Sequence, residues 1–268
     1  MAQKWRIVTY NTWKCEGLYR DRLDWMGQGL LALAPDILCL QEAFDCPERG
    51  VDTARHLSDF LGMGAEVLPA RRKSRQFEQD CRISRSNLAI LSKRQTSRGQ
   101  DIKLPEHEED RDRWAMQVTV SVRPGLRLRI INTHLSHLKG EAGTALRRAQ
   151  AERLSHLCQA DETETVVLCG DFNDQWESSS LAPLRQIDWW SAEVEQEGGT
   201  FIGARAGVYA EPHRIDQVQV TTRSERYVKL VHRFPALNMP IGPEQEHPSD
   251  HAALVVDLEF DEMPNGVL

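Results

Sequence analysis

The chain has 268 residues, with 33 Lys and Arg against 40 Asp and Glu and a formal net charge of −7. Its 40% hydrophobic and 27% charged residues provide enough apolar surface to offset the entropy of ordering, which excludes a disordered chain. The negative balance excludes a generic basic nucleic-acid binder unless a local patch acts against the overall field, and no apolar run approaches the roughly 18–20 residues of a transmembrane helix.

Residues 6–10 predict a first buried strand. A helix over 21–34 follows, because Leu23, Met26, Leu30 and Leu33 recur at three- and four-residue steps and so share one stripe. Pro35 stops it. A second strand spans 36–40. Residues 71–85 then hold six basic side chains (Arg71, Arg72, Lys73, Arg75, Arg82, Arg85) against Glu78 and Asp80, and read as a loop ahead of a strand at 88–91. Residues 106–112 reverse the sign, with Glu106, Glu108, Glu109, Asp110 and Asp112 against Arg111. Both blocks suit solvated loops that pair with each other, and 71–85 also suits a phosphate-attracting loop in an otherwise acidic protein. Strands at 114–122 and 126–133 precede a helix over 141–158, with Leu146, Ala149, Leu154 and Leu157 inward and Arg147, Arg148 and Glu152 outward. Strands at 165–169, 215–220, 228–234 and 252–260 complete the chain. Strands spread from end to end without a linker predict one layered α/β domain over 1–268.

The six cysteines show neither a C-x-x-C pair nor a disulfide framework, and Cys39 and Cys169 lie inside apolar runs. Reduced structural thiols and a cytoplasmic location are expected. The N-terminal apolar run is too short for a signal-peptide core.

Chemistry concentrates where the strands end. Tyr10-Asn11-Thr12-Trp13 closes the first strand, Leu40-Gln41-Glu42-Ala43 the second, Asn132-Thr133-His134-Leu135 a third and Gly170-Asp171-Phe172-Asn173-Asp174 a fourth. Arg214-Ile215-Asp216-Gln217-Val218 opens another, and Ser249-Asp250-His251 stands before the last. Each alone has a plainer explanation: Glu42 or Asp171 suits a turn or helix cap, and His134 a half-buried histidine. His137 does not pair with His134, since residues three apart share a face only on a helix. Together, six clusters of carboxylates, carboxamides and two histidines make hard-cation phosphoester chemistry the natural reading. Zinc fits poorly, because C-x-x-C and H-E-x-x-H spacings are absent.

With these six motifs in order from Tyr10 to Leu258, the sequence resembles the endonuclease/exonuclease/phosphatase superfamily, which contains deoxyribonuclease-I-like nucleases, inositol polyphosphate 5-phosphatases, neutral sphingomyelinases and deadenylases. The resemblance implies a four-layered α/β sandwich: two mixed β-sheets packed face to face with helices outside. It implies that Asn11 and Glu42 bind a catalytic Mg²⁺ or Mn²⁺, with Asp250 beside the metal. His134 would touch the scissile phosphate, Asp171 would orient or deprotonate the attacking water, and Asn173 would bond a phosphoryl oxygen. Asp216 would hold His251 in the right tautomer.

The implied activity is hydrolysis of a phosphodiester, nuclease-like, by a monomer whose partner is a phosphate-ester substrate, nucleic acid among the candidates. A phospholipid or inositol-phosphate substrate is the alternative. A catalytically inactive scaffold should have lost one of Glu42, Asp171, Asn173, Asp216 or His251, and none is missing. Arg71, Arg72, Lys73 and Arg75 are the candidate substrate-binding cations. Trp189-Trp190 reads as packing rather than a lipid contact. Asn87 stands where family members commonly carry glycine, and asparagine tolerates the left-handed backbone region.

Overall fold

The computed structural model describes residues 2–189, 199–203, 213–223, 228–241 and 245–261. In chain order the first elements are β1 (Gln3–Asn11), α1 (Tyr19–Leu33), β2 (Ile37–Cys46), β3 (Val51–Asp52), α2 (Thr53–Leu61), β4 (Gly64–Leu68), β5 (Lys73–Phe77) and β6 (Asp80–Ser92). Then come β7 (Thr96–Arg98), β8 (Ile102–Lys103), β9 (Trp114–Arg123), β10 (Leu126–His134), α3 (Gly140–Ser155), β11 (Glu164–Asp171), β12 (Asp216–Thr222), β13 (Val228–Ala236) and β14 (Ala253–Phe260).

The central strands read as unbroken apolar runs because both of their faces are buried. In β1, Trp5 and Ile7 enter one core while Val8 and Tyr10 enter another. Ile37 and Cys39 alternate with Leu38 and Leu40 in the same way on β2. On β11, Val167 and Cys169 face the first core, and Val166 and Leu168 face a third under α3. The period of two thus builds four layers: a helical layer of α1 and α2, two sheets sharing a core, and α3 beyond. This is the expected sandwich.

One sheet runs β13-β14-β1-β2-β6-β4, with β3 on β2 and β5 on β6; the other runs β12-β11-β10-β9-β7, with β8 on β9. Both are mixed, because β1 and β2 are parallel, as are β10 and β11, among antiparallel neighbours. The topology sets the strand ends side by side. Asn11 lies opposite Gln41, His134 opposite Asp171, and Asp171 opposite Asp216. Since β14 runs antiparallel to β1, the residues entering β14 arrive where β1 finishes.

All nine expected strands are present, several longer than their apolar runs. Three expectations are corrected. Residues 71–85 are not an open loop: β5 pairs with the first half of β6 as a hairpin, Lys73 opposite Ser84 and Arg75 opposite Arg82. Arg147 does not face outward from α3. It is buried, donating Nε to Asp174 at 3.1 Å and Nη1 to the carbonyls of Ser136 and Leu138, which together satisfy its charge. Asn87 lies within the extended β6 and braces the chain by accepting the Ala70 N–H at 3.2 Å, so no left-handed residue is needed there. Trp189 packs edge-on to Trp176 and bonds the Leu184 carbonyl, while Trp190 lies outside the described residues. All six cysteines are free, and no helix among the described residues is long and apolar enough to cross a membrane.

Candidate active site

The strand ends open into a cleft of about 370 Å³. It is lined by seven of the eight residues expected from the sequence to act at the metal or the phosphate: Asn11, Glu42, His134, Asp171, Asn173, Asp250 and His251. Asp216, the eighth, lies directly behind His251.

The sheets supply rigid positions, and local irregularities aim the side chains. A register shift between Leu40 and Ala43 breaks the β2–β6 ladder, and Glu42 within it takes a left-handed φ of 55°. That bulge turns Glu42 to the cleft, while Gln41 points between the sheets and donates to Asn132 Oδ1 at 2.7 Å. Asn132 in turn donates to the carbonyls of Leu40 and Ala89, so a buried amide pair clasps the two sheets just beneath the site. Gly170 brings β11 against β10 so closely that a Cβ there would stand 1.9 Å from the Thr133 carbonyl oxygen. Asn173 is left-handed at 52°, and its N–H donates to Asp171 Oδ1 at 2.8 Å. Such strain persists only where surrounding structure enforces it, and it clusters at functional sites.

Arg22 of α1 performs a task its sequence position gave no sign of. Wholly buried, it donates to the carbonyls of Thr12, Trp13, Lys14 and Glu16 after β1 and to that of Pro248 before β14, and it stacks over Trp13. One guanidinium thereby fixes the loop that follows Asn11 and the loop that carries Asp250.

Around Asp171 the polar atoms converge. Its Oδ2 accepts from Asn11 Nδ2 at 2.9 Å and lies 3.3 Å from His134 Nε2 and 3.8 Å from His251 Nε2. Burial pushes its carboxyl up to about 7, with Asp216 adding to the rise and His251 opposing it. His251 Nδ1 sits 2.8 Å from Asp216 Oδ2. Burial disfavours the charged ring, but Asp216, Asp171 and Asp250 outweigh it and raise His251 to about 10. His134 is pushed well down by burial and by Arg113 and Arg71, which keeps it a neutral ring.

Two sets of oxygen and nitrogen donors invite a cation. Asp171, Asp216 and His251 present atoms within 4.8 Å of one another. There, however, the imidazole is already hydrogen-bonded to Asp216, an arrangement suited to holding a proton. Glu42 and Asp250 fit a hard cation better. Both are carboxylates facing the cleft, and Asp250 is pushed up to about 6 by burial and, against His251, by the charge of Glu42. Lys14 Nζ at 3.0 Å is the ion-pair partner of Glu42 among the described residues. Asn11 Oδ1 accepts the Trp13 N–H at 3.0 Å and keeps a second lone pair. An all-oxygen set of this kind suits Mg²⁺ or Mn²⁺ rather than zinc.

Three basic residues of the cleft wall, Lys14, Arg113 and His137, lay outside the sequence-based set of site residues. Arg113 is 2% exposed and donates to Asp110, which is 0% exposed, while its Nη2 lies 2.9 Å from His137 Nδ1. Arg71 forms a second ion pair with Asp110, and its backbone N–H donates to Asp112. The acidic and basic blocks therefore do pair, but as a buried cluster rather than as solvated loops. His137 lines the cleft as part of that cluster, not as a partner of His134. Lys14 faces the cleft as well. Arg72 is exposed and Arg82 and Arg85 pair with Glu48, Asp80 and Asp45, so these three are not part of the cleft wall.

Asp110 yields a prediction about pH. Burial alone would raise it, but His137, Arg113 and Arg71 hold it far below the usual carboxylate range. Since the folded value lies below the unfolded one of about 3.9, the stabilisation is complete above about pH 4 and is lost as pH falls below it. Denaturant titrations should show the parent losing stability below pH 4 more steeply than Asp110→Asn. At neutral pH the variant should be less stable by on the order of 3 kcal/mol, because two buried arginines lose their counter-charge. Parallel pH curves for the two proteins would mean that the cluster does not hold this region together.

Two face-to-face mixed sheets with histidines and carboxylates gathered at their ends define a phosphoesterase-type α/β sandwich. The sequence profile of the Endonuclease/Exonuclease/phosphatase family matches residues 8–251, and the chain belongs to that family. No curated protein matches it in sequence. Among solved structures, an endonuclease/exonuclease/phosphatase family protein from Bacteroides thetaiotaomicron is similar at a TM-score of 0.71 and 16% identity, over 98% of this chain and 100% of its own. The mannosyl-6-phosphatase of B. thetaiotaomicron VPI-5482 gives 0.68 and 17%, over 95% and 99%. D. rerio TDP2 complexed with a single-strand DNA product gives 0.64 and 17%, over 96% and 99%. At these identities the likeness is one of fold.

Proposed function

We propose that the chain is a divalent-cation-dependent hydrolase that cleaves a phosphodiester by attack of water on phosphorus. The observation that carries this reading is the convergence of Asn11, His134 and His251 on Asp171 Oδ2 in one cleft with Glu42 and Asp250. Glu42 and Asp250, with Asn11 Oδ1, would hold Mg²⁺ or Mn²⁺, which would supply a Lewis acid for the phosphoryl oxygens.

The chain's own groups do the rest. Asp171, fixed by Asn11 and the Asn173 N–H, orients the attacking water and takes its proton. His134 and Asn173 donate to the non-bridging oxygens, where negative charge grows in the transition state. Asn173 has one amide hydrogen on the Leu135 carbonyl at 3.0 Å and the other left for this purpose. Asp216 fixes His251 as an imidazolium directed at the same oxygens. No covalent nucleophile takes part. The substrate is a phosphate ester, with nucleic acid among the candidates beside a phospholipid or inositol phosphate, and the protein acts as a cytoplasmic monomer.

The test is hydrolysis of bis(p-nitrophenyl) phosphate and p-nitrophenyl phosphate by purified protein, with and without EDTA and with Mg²⁺ or Mn²⁺ restored. Diester cleavage that EDTA abolishes and the metal restores is the expected result. Full activity in excess EDTA would end the metal-dependent reading, and turnover of the monoester alone would move the substrate to a phosphomonoester.

A further inference from the structure

Five lysine and arginine side chains line the cleft: Lys14, Arg71, Lys73, Arg75 and Arg113. Three are already matched by carboxylates, Lys14 by Glu42 and both Arg71 and Arg113 by Asp110. Lys73 and Arg75 have no carboxylate partner among the described residues. They stand two apart on β5 and so share the face that looks into the cleft, while Arg72 and Ser74 alternate with them. Arg75 is held in place by uncharged groups: Nη1 donates to the Ser84 carbonyl and hydroxyl at 3.0 Å, and Nη2 to the Arg71 carbonyl at 2.9 Å. Its Nε and one Nη2 hydrogen remain. Burial holds both side chains below their ordinary pKa values and Arg71 adds to this, while Asp110 acts the other way on Lys73, and Cys15, Glu42 and the cleft-lining Glu16 act the other way on Arg75.

The backbone that carries the pair is also offset from that of the Glu42 bulge. Ala43, next to Glu42, is registered with Asn87, whereas Lys73 is registered with Ser84, three residues further along β6. At about 3.4 Å per residue that is roughly 10 Å. Arg75 folds back to the same level, since it bonds Ser84 and Arg71. The hairpin is rigid, being a continuous ladder tied to the Lys14 loop by the Cys15 thiol on the Gln76 carbonyl at 3.7 Å.

We propose that Lys73 and Arg75 form a subsite for a second phosphoryl group of the substrate, carried by a hairpin whose backbone is registered three residues further along β6 than the Glu42 bulge. The preferred substrate then carries at least one phosphate besides the scissile one. This rests on the phosphoesterase reading for the meaning of "substrate", but the subsite is a binding property that can be measured without turnover.

The experiment is isothermal titration calorimetry of the full chain at low salt with adenosine 3′,5′-bisphosphate and adenosine 5′-monophosphate. The parent should bind the bisphosphate about tenfold more tightly or better, as charge-assisted bonds to a second dianion require. Lys73→Ser with Arg75→Ser should bring the two affinities together. Arg72→Ser, which removes one charge from the outer face, should keep the preference. Lys73 is exposed, so Lys73→Ser alone burdens the hairpin little and should already lose part of the preference if the double variant misfolds. Equal affinities in the parent, or an Arg72→Ser effect as large as that of the double variant, would overturn the subsite. An inert parent that still prefers the bisphosphate would remove the hydrolase reading and leave the subsite standing.

Discussion

Glu42→Gln is expected to lower turnover about a thousandfold and to leave the fold standing. The exchange keeps the shape of the side chain and removes a full charge from the carboxylate that faces Asp250 across the cleft. With the metal bound, that charge supports the cation in the ground state and more so as the phosphoryl oxygens gain charge, so kcat should fall along with metal affinity. The folding cost is small. Glu42 is paired with a partly exposed Lys14, and breaking such a pair is worth about 1 kcal/mol or less. Neutralising Glu42 also removes repulsion from Asp250 in metal-free protein, which works in favour of stability. Raising Mn²⁺ should restore part of the loss, and the thermal midpoint should stay close to that of the parent. A variant with parental kcat would mean that Glu42 is a cap on a bulged strand and nothing more.

The sandwich was legible because strands buried on both faces cannot hide in a sequence: each reads as a dense apolar run with a polar residue at its end. The elements that escaped are those whose burial is partial. β5, Lys-Ser-Arg-Gln-Phe, has one face on the cleft and one exposed, so it reads as a charged loop even though Phe77 anchors it in the core. α2 is nine residues long and was missed, although Asp52 caps its start by accepting the Arg55 N–H and Gly62 closes its end in the left-handed region. Those two residues were the available signal.

Charged residues were the other blind spot. Arg22, Asp110, Arg113 and Arg147 are all buried, and nothing in local spacing distinguishes them from solvated neighbours. What buries each is a partner distant in sequence or a ring of carbonyls, which only the fold assembles. Arg147 on its helix was therefore expected outward, and the block 106–112 was expected on the surface. Motif order, by contrast, named the residues of the cleft, because strand ends that share one edge must meet once the sheets stack.

The Asp216–His251 pair should behave as one unit. Asp216 meets the cleft only through His251 Nδ1, at 2.8 Å, and its own side chain does not line the pocket. Its main contribution to the reaction therefore passes through the orientation and charge of the imidazole, beside the smaller rise it adds to the Asp171 carboxyl. Asp216→Ala leaves a ring free to rotate and to shed its proton near neutral pH, and it should cost on the order of 10²–10³ in turnover. His251→Ala should cost at least as much, since it removes the donor itself. The double variant should then lose little more than His251→Ala alone, because an aspartate without its histidine has nothing left to orient. Each single variant should also keep its metal affinity within a fewfold, which separates this loss from that of Glu42→Gln. If the two losses in activation free energy instead add in full, Asp216 acts on the reaction by a route that does not run through His251, either through the Asp171 carboxyl or as one of the groups that hold the metal.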